Sequence, residues 1–420
     1  MLIDKLNAEQ RIAVEEMAEF LKGDKSFFLL QGYAGTGKTF SIQALMELVR
    51  GRLIFTAPTN KATKVLRDTL TSDTFKPECR TIYSLLGLRL EPNGEVKELT
   101  IPEDPVDLSD YRAVIVDEGS MVNELLVNYI KKAAKDFHIK FIFLADFAQL
   151  PPVGEGQSAV NTITNGARLE TVMRHDNQIL KLVTKIRNVV DHPAPTVKFA
   201  SDFANGEGVW SVSANEFESR ILDAAYTDAF ITPNDTKVIA WRNVTVDKYN
   251  LMVRNKLFDH PVLPWLEDDR IIVMEPAKNL ADEIVATTDD EGRVTSAVAD
   301  YHPTWPEFKV WRVSATLDTN STCVLQVLHE DSFRLYTQQL ERFASEAKAN
   351  RKLWGRFWEF KEAFHKIRHA YAITAHRAQG STYHTAFVDW RDILLNRNRG
   401  EAYRCFYVAA SRPKKRLILG

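Results

Sequence analysis

The sequence predicts an α/β protein built on two parallel sheets, with a hairpin inserted in the first and a small β-rich insertion in the second. Short, nearly all-apolar runs at residues 27–30, 53–55, 114–116 and 141–144 end at polar or glycine-rich loops and alternate with amphipathic helical stretches. Strands buried on both faces have this composition, and helices between them make the sheet parallel and doubly wound. A second set of runs at 237–241, 370–374, 385–390 and 416–419, with helical stretches at 243–257 and 401–411, predicts the second sheet.

The interval 261–352 interrupts that second set. It is rich in β-branched residues, prolines and acidic turns such as Asp289-Asp290-Glu291-Gly292, and it is too long to be a structureless loop in a compact protein. An inserted β-rich domain is expected there. Residues 88–99 read as two short strands joined by an Asn93-Gly94 turn, a strong local hairpin signal. The hairpin projects from the first domain, and an ornament and a functional protrusion both fit it. The expected units are 1–86 with 107–173, the hairpin 87–106, the second sheet domain 174–260 with 353–420, and the insertion 261–352.

A chain of 420 residues exceeds what one core normally organises. The net charge of −2 gives no global basic field, so any polyanion must be met by local sites. Cys79, Cys323 and Cys405 are odd in number and scattered, which argues against a disulfide framework or a zinc motif and for a reducing compartment. No run is long and apolar enough to span a bilayer. A cytosolic protein without membrane partners is expected.

Gly32-Tyr33-Ala34-Gly35-Thr36-Gly37-Lys38-Thr39 carries the chemistry. It follows an apolar strand and opens a helix, so backbone N–H groups, a helix N-terminus and the Lys38 ammonium converge on phosphate, while Thr39 can sit on Mg²⁺. Gly32, Gly35, Thr36, Gly37, Lys38 and Thr39 are therefore candidate nucleotide ligands. Asp117 and Glu118 end the next buried run; one carboxylate would hold the metal and the other would act as base. Alone, such a pair reads as a solvated turn; after a complete phosphate loop it reads as catalytic. Gln149, stiffened by Pro151 and Pro152, can donate to a terminal phosphate and accept from an attacking water.

These segments together resemble superfamily 1 helicases over nearly the whole chain. Leu6-Asn7-Ala8-Glu9-Gln10 is similar to the family's adenine-reading motif, which places Gln10 on the base. Ala57-Pro58-Thr59-Asn60-Lys61-Ala62 and Thr81-Ile82-Tyr83-Ser84-Leu85 resemble its strand-contacting motifs, implying DNA contacts from Pro58, Thr59, Asn60, Thr81 and Tyr83. The segment ending at Arg174 resembles the one that carries a phosphate-contacting arginine. Residues 371–381 closely resemble the strand-contacting motif of the second domain, which implies roles for Thr374, His376 and Ser381 on DNA and for Gln379 and Gly380 at the nucleotide. Tyr407-Val408-Ala409-Ala410-Ser411-Arg412 resembles the final motif, whose arginine, here Arg412, reaches the triphosphate across the cleft.

The Thr-Ile-x-Ser-Leu motif, the Gln-Leu-Pro-Pro-Val-Gly loop and the hairpin resemble the RecD and Dda branch, superfamily 1B. The resemblance implies two RecA-like motor domains, ATP with Mg²⁺, and 5′→3′ movement on single-stranded DNA with unwinding of duplex or fork DNA. It implies a pin hairpin and an SH3-like insertion. A monomer working beside replication or recombination proteins, in bacterial or phage-infected cytosol, is expected. Tyr83, Gly119, Ala145 and Ser411 depart from the family's common histidine, small apolar residue, glycine and threonine. A translocase that strips proteins from DNA and a nucleotide-regulated DNA-binding module are the alternatives.

Trp354, Phe357 and Trp358 share one helix face, which favours a packed stripe over a base-stacking surface. His376 has no second ligand at helical spacing, so a nucleic-acid or coupling role is favoured over a metal. Beyond Arg412, the basic run 412–416 reads as a solvated turn.

Overall fold

The computed structural model describes residues 2–72, 75–101, 106–171, 178–191 and 199–420. The first domain runs α1 (Ala8–Phe20), β1 (Phe27–Gly32), α2 (Lys38–Leu48), β2 (Arg52–Ala57), α3 (Asn60–Leu70), β3 (Cys79–Thr81) and α4 (Ile82–Leu85). The hairpin β4 (Arg89–Asn93) and β5 (Val96–Thr100) follows, then β6 (Tyr111–Val116), α5 (Glu124–Asp136), β7 (Lys140–Ala145) and β8 (Gly166–Leu169). Six strands pair in the order β3-β2-β6-β7-β1-β8, all parallel. Helices cover both faces, and β1, β2, β6 and β7 are buried, as their apolar runs require.

The second domain runs α6 (Gln178–Asp191), β9 (Asp202–Ala204), β10 (Glu207–Ser211), α7 (Ala214–Ala224), β11 (Thr236–Ala240) and α8 (Asn243–Leu257). The insertion contributes β12 (Arg270–Val273), β13 (Ala277–Lys278), β14 (Ile284–Ala286), β15 (Glu291–Tyr301), β16 (Lys309–Leu317), β17 (Thr322–Leu328), α9 (Phe333–Ala349), α10 (Trp354–Ala363) and β18 (Ile367–His369). The chain returns through β19 (Ala372–Thr374), α11 (Ala375–Ala378), β20 (Tyr383–Val388), α12 (Trp390–Ile393), α13 (Arg399–Ala410) and β21 (Pro413–Leu419). The second sheet, β19-β11-β20-β21-β10-β9, is parallel except for its edge strand β9.

Three local expectations shift. The strand expected over 370–374 begins at Ala372 and pairs with β11 of the second sheet, while the preceding strand Ile367–His369 pairs antiparallel with β12 of the insertion. The return therefore lies near residue 370 rather than 353, because α10 packs Phe357, Phe360 and nearby Phe364 into a core with Phe308 and Phe343. The run 385–390 ends at Val388, where Asp389 caps α12 through a bond from the Asp392 N–H. In the hairpin Asn93 pairs with Val96, so the loop is Gly94-Glu95. Gly94 has φ +68° and Glu95 does not have positive φ, the pattern of a turn with glycine at its first central position.

The hairpin does not stand free. Trp358 Nε1 donates to Gly94 O at 3.0 Å, Lys348 pairs with Glu95 at 2.7 Å and Lys97 pairs with Glu362. The aromatic stripe thus divides: Phe357 faces its own core, while Trp358 buttresses the hairpin from behind.

Two buried histidines make the insertion acid-sensitive. His365 Nδ1 accepts from the Gln326 N–H at 2.9 Å, and burial depresses its pKa to about 4; His302, accepting from the Thr304 and Trp305 N–H groups, moves in the same direction by burial. A proton that only the unfolded chain accepts destabilises the fold as pH falls from about 6.5 toward 4. His365 alone accounts for a loss of about 2 kcal/mol between pH 7 and pH 5. Urea denaturation of His365→Asn should show that much less of a drop over this interval than the parent; equal drops would refute the assignment.

Candidate functional site

Strand β1 delivers the chain into the loop 32–37, and α2 begins at Lys38. Gly35 and Gly37 have φ of +85° and +82°, a conformation that side chains other than glycine adopt only with strain. A Cβ on Gly32 would lie 2.6 Å from Thr36 Oγ1, and one on Gly37 would lie 2.3 Å from Gln10 Nε2. Thr36 is buried, its hydroxyl donating to Tyr33 O at 2.9 Å. Lys38 Nζ rests on the carbonyls of Gly32 and Tyr33, at 2.6 and 3.2 Å. The loop is a preformed cradle whose cation is held by backbone oxygens.

Asp117 and Glu118 follow β6, beside the cradle. Burial raises both carboxyls, and Asp117's charge adds to the rise of Glu118, which reaches about 7 even though Arg412 and Lys38 pull it down. Glu118 also holds φ +50°, a left-handed conformation that costs a non-glycine residue roughly 1–2 kcal/mol. Two desolvated acids facing one lysine fit a site completed by a cation. Gly119 next packs against β7, where a Cβ would lie 3.2 Å from Leu144 O, so the departure at this position answers close packing.

Gln149 is buried, with Nε2 directed to Asp146 Oδ2 at 3.4 Å and Oε1 without a partner among the described residues. An orphan buried acceptor is costly. Here it lies on the loop after β7, where a water hydrogen would satisfy it.

Arg412 reaches the site from the second domain. It is buried, and its guanidinium donates to Val408 O at 2.9 Å, Ser381 O at 3.2 Å and Ser411 Oγ at 2.8 Å. Serine at 411 thus supplies the hydroxyl expected of threonine. The charge of Arg412 acts on Glu118, so residues almost three hundred positions apart share one field. Between the domains runs a cleft of about 1110 Å³, with Gly35, Lys38 and Thr39 on one wall and Asn234, Ser381 and Lys414 on the other. Arg174 lies outside the described residues.

Other expected positions are placed as follows. Gln10 lines the cleft, but its amide is engaged: Nε2 donates to Thr36 O at 2.9 Å, and Oε1 accepts from the Asn7 N–H at 3.1 Å. Gln379 Nε2 points to Leu150 O at 3.4 Å, and Gly380, at φ +73°, meets Ala62 of α3 with 3.1 Å for a Cβ. Both therefore lie at the contact between the domains. Thr59, two residues past β2, and Thr81 and Thr374, which end β3 and β19, cap α3, α4 and α11, each accepting an N–H from three residues on. A capping hydroxyl accepts that bond and keeps its own hydrogen to donate. Pro58 and Asn60 flank the first of these caps, and Asn60 lines the cleft. Ser381 Oγ has no partner among the described residues. Tyr83 is half-buried against the core of its domain, and His376 is exposed.

Tyr407, to which the sequence assigns no role, bridges the domains. Its hydroxyl donates to Asp146 Oδ2 at 2.8 Å and accepts from the Ala34 N–H of the phosphate loop at 3.1 Å. Arg404, one turn earlier, donates to the carbonyls of Phe147 and Gln149. The helix α13 thus holds both the phosphate loop and the Gln149 loop. No sequence signal names these partners, because they are more than 250 positions away.

Comparison with known proteins agrees with this geometry. Residues 5–201 match an AAA domain family and residues 369–419 match a UvrD-like helicase C-terminal domain. The ATP-dependent DNA helicase dda of Enterobacteria phage T4 is 24% identical over 429 residues, covering 92% of this chain and 93% of that protein. These matches support a superfamily 1B helicase of the Dda/Pif1 type. An uncharacterized protein of Acanthamoeba polyphaga mimivirus is also 24% identical, over 98% of this chain and 99% of its own. Among solved structures, this chain shares its fold with Pif1 helicases in a study of unwinding at forked duplex DNA, with TM-score 0.53, 17% identity and coverage of 98% and 91%. A Bacteroides Pif1 in complex with ADP-AlF3 and single-stranded DNA matches with TM-score 0.50 and 15% identity, over 96% of this chain and 91% of that one. The two sheet domains accordingly have RecA-like folds. Among the described residues no helix is long and apolar enough to cross a membrane.

Proposed function

We infer that the chain is an ATP-dependent DNA helicase that moves 5′→3′ on single-stranded DNA and opens duplexes at the hairpin 87–106. One observation carries the motor reading: Tyr407 and Arg404 of the second domain bond the phosphate loop, Asp146 and the Gln149 loop of the first, so the two domains meet at the nucleotide cradle. A triphosphate in the cradle would meet the loop N–H groups and Lys38. Thr39 and Asp117 are the residues that would hold Mg²⁺, which supplies charge neutralisation at the phosphates when bound. Glu118 takes the proton of a water oriented by the free Gln149 Oε1. Arg412, and by resemblance Arg174, stabilises the charge that spreads over the terminal phosphate.

DNA lies across the strand ends. The capping hydroxyls of Thr59, Thr81 and Thr374, with Ser381, donate to its phosphates, and such contacts position the strand without reading sequence. Hydrolysis alters the Tyr407 and Arg404 contacts across the cleft, and the two grips move relative to one another. The dda and Pif1 relatives are named as DNA helicases, which supports the substrate class; forks met in replication or recombination are the setting it fits.

Duplexes carrying only a 5′ tail or only a 3′ tail test the direction. The 5′-tailed substrate should open faster, and preferential opening of the 3′-tailed one overturns the polarity. Deleting the tip 91–95 should reduce strand separation more than DNA-stimulated phosphate release; equal losses would remove the hairpin from the splitting step.

A further inference from the structure

A second cluster of chemically suited side chains lies outside the nucleotide cleft. His376 sits on α11, just after Thr374, and Glu401 and Cys405 sit one turn apart on α13. One donor atom from each, an imidazole nitrogen, a carboxylate oxygen and the thiol sulfur, all lie within 4.8 Å of one another. His376 Nε2 faces Glu401 Oε1 at 3.5 Å. The sequence hides this set, because His376 stands 25 positions before its nearer partner and only the packing of α11 on α13 unites them.

We propose that His376, Glu401 and Cys405 form a binding site for a thiophilic divalent cation, Zn²⁺ being the fitting ion. Sulfur, nitrogen and one carboxylate oxygen make a borderline-soft donor set, which selects zinc over magnesium or calcium. Zinc ligands 2.0–2.3 Å from the ion lie roughly 3.5 Å from each other. Side-chain rotation of about 1 Å therefore closes the set from its present spacing. Cys405 is fully buried and forms the floor, whereas His376 is exposed and Glu401 half-buried, so the mouth is open to an entering ion and to a water as fourth ligand. The i,i+4 pair on one helix fixes two ligands rigidly. Binding releases the Cys405 thiol proton to solvent, and the imidazole binds in its neutral form.

The site joins two working segments. The α11 end carries the Thr374 cap and the α13 end leads to Arg404, Tyr407 and Arg412. A bound ion ties them together and removes His376 from any contact with a nucleic acid. Zinc should therefore lower DNA-stimulated turnover, an effect that rests on the proposed helicase reading; binding itself does not.

Cobalt(II) titration of the full chain tests the site without reference to activity. Expected are a near-ultraviolet thiolate-to-cobalt band, its loss on adding Zn²⁺, and its persistence in excess Mg²⁺. Removing even an outer-shell partner of a metal ligand typically costs roughly tenfold or more in affinity, so His376→Gln and Glu401→Gln should each weaken binding by at least that factor. His376 is exposed, so its variant keeps the test sound if Cys405→Ser fails to fold. Replacing the buried Cys79 and Cys323 elsewhere should leave the band intact. Absence of the band in the parent chain, or a band indifferent to His376→Gln and Glu401→Gln, overturns the proposal. A band that survives while zinc leaves DNA-stimulated turnover unchanged overturns the regulatory consequence alone.

Discussion

Lys38→Ala is expected to reduce ATP turnover by about 10³-fold while leaving the fold in place. The ammonium contributes no packing core; it rests on two loop carbonyls and projects its charge onto Asp117 and Glu118. A triphosphate would supply better acceptors than those carbonyls, so the lysine would transfer to phosphate and its charge would count most as negative charge spreads in the transition state. Alanine is the best helix former, and Lys38 is the first residue of α2, so the substitution should shift stability by less than about 1 kcal/mol. Phosphate release with saturating single-stranded DNA measures the loss, and thermal melting checks the fold. Retention of more than roughly a tenth of parental turnover, well above the expected loss, would remove Lys38 from the chemistry.

Glu291→Ala should cost about 3–5 kcal/mol of stability. This carboxylate begins β15, in the segment that reads as an acidic surface turn, yet its side chain is only 9% exposed. Lys237 Nζ meets it at 2.8 Å, Arg270 at 3.5 Å and, from α3 of the first domain, Lys61 at 2.9 Å. Burial alone would push the acid up, but the three cations hold it well below the usual carboxylate range, and Lys61 is correspondingly raised despite its burial. Asp318, which pairs with Arg270 at 2.7 Å, is the other carboxylate of the group. Removing Glu291 leaves cations buried without their counter-charge, which is the costly way to break such a group. Because the folded pKa is depressed, this stabilisation is complete above about pH 4.5 and is lost as pH falls below it. A Glu291→Leu, Lys237→Met double variant should recover much of the loss, because it removes charge of both signs. Urea denaturation decides between this and a solvated turn: a loss under about 0.5 kcal/mol is what a surface change produces.

Legibility in the sequence followed the range of the interaction. The buried strands of both motor sheets are visible because a strand covered on two faces must be apolar along its length, and the phosphate loop is visible because its glycines, lysine and threonine act within eight consecutive residues. Asp117, Glu118 and Gln149 follow from the same local grammar at strand ends. The capping threonines announce themselves as likewise local, though not whether the free hydroxyl hydrogen serves DNA. Boundaries were less legible: the adjacent strands 367–369 and 372–374 belong to different sheets, because a short strand carries no mark of which neighbour it pairs with.

What the sequence by itself determined is the fold class, the glycine loop between strand and helix, and the placing of Asp117 and Glu118 at a strand end, since each is encoded by neighbours along the chain and by backbone chemistry. Only the tertiary structure decided that Tyr407 bridges Asp146 and Ala34, that Glu291 gathers cations from three elements, and that Cys405 and Glu401 face His376. These depend on a charge or a hydrogen bond closing between elements from about twenty to several hundred positions apart, and the energy of such a contact lies in burial and geometry that no local pattern records.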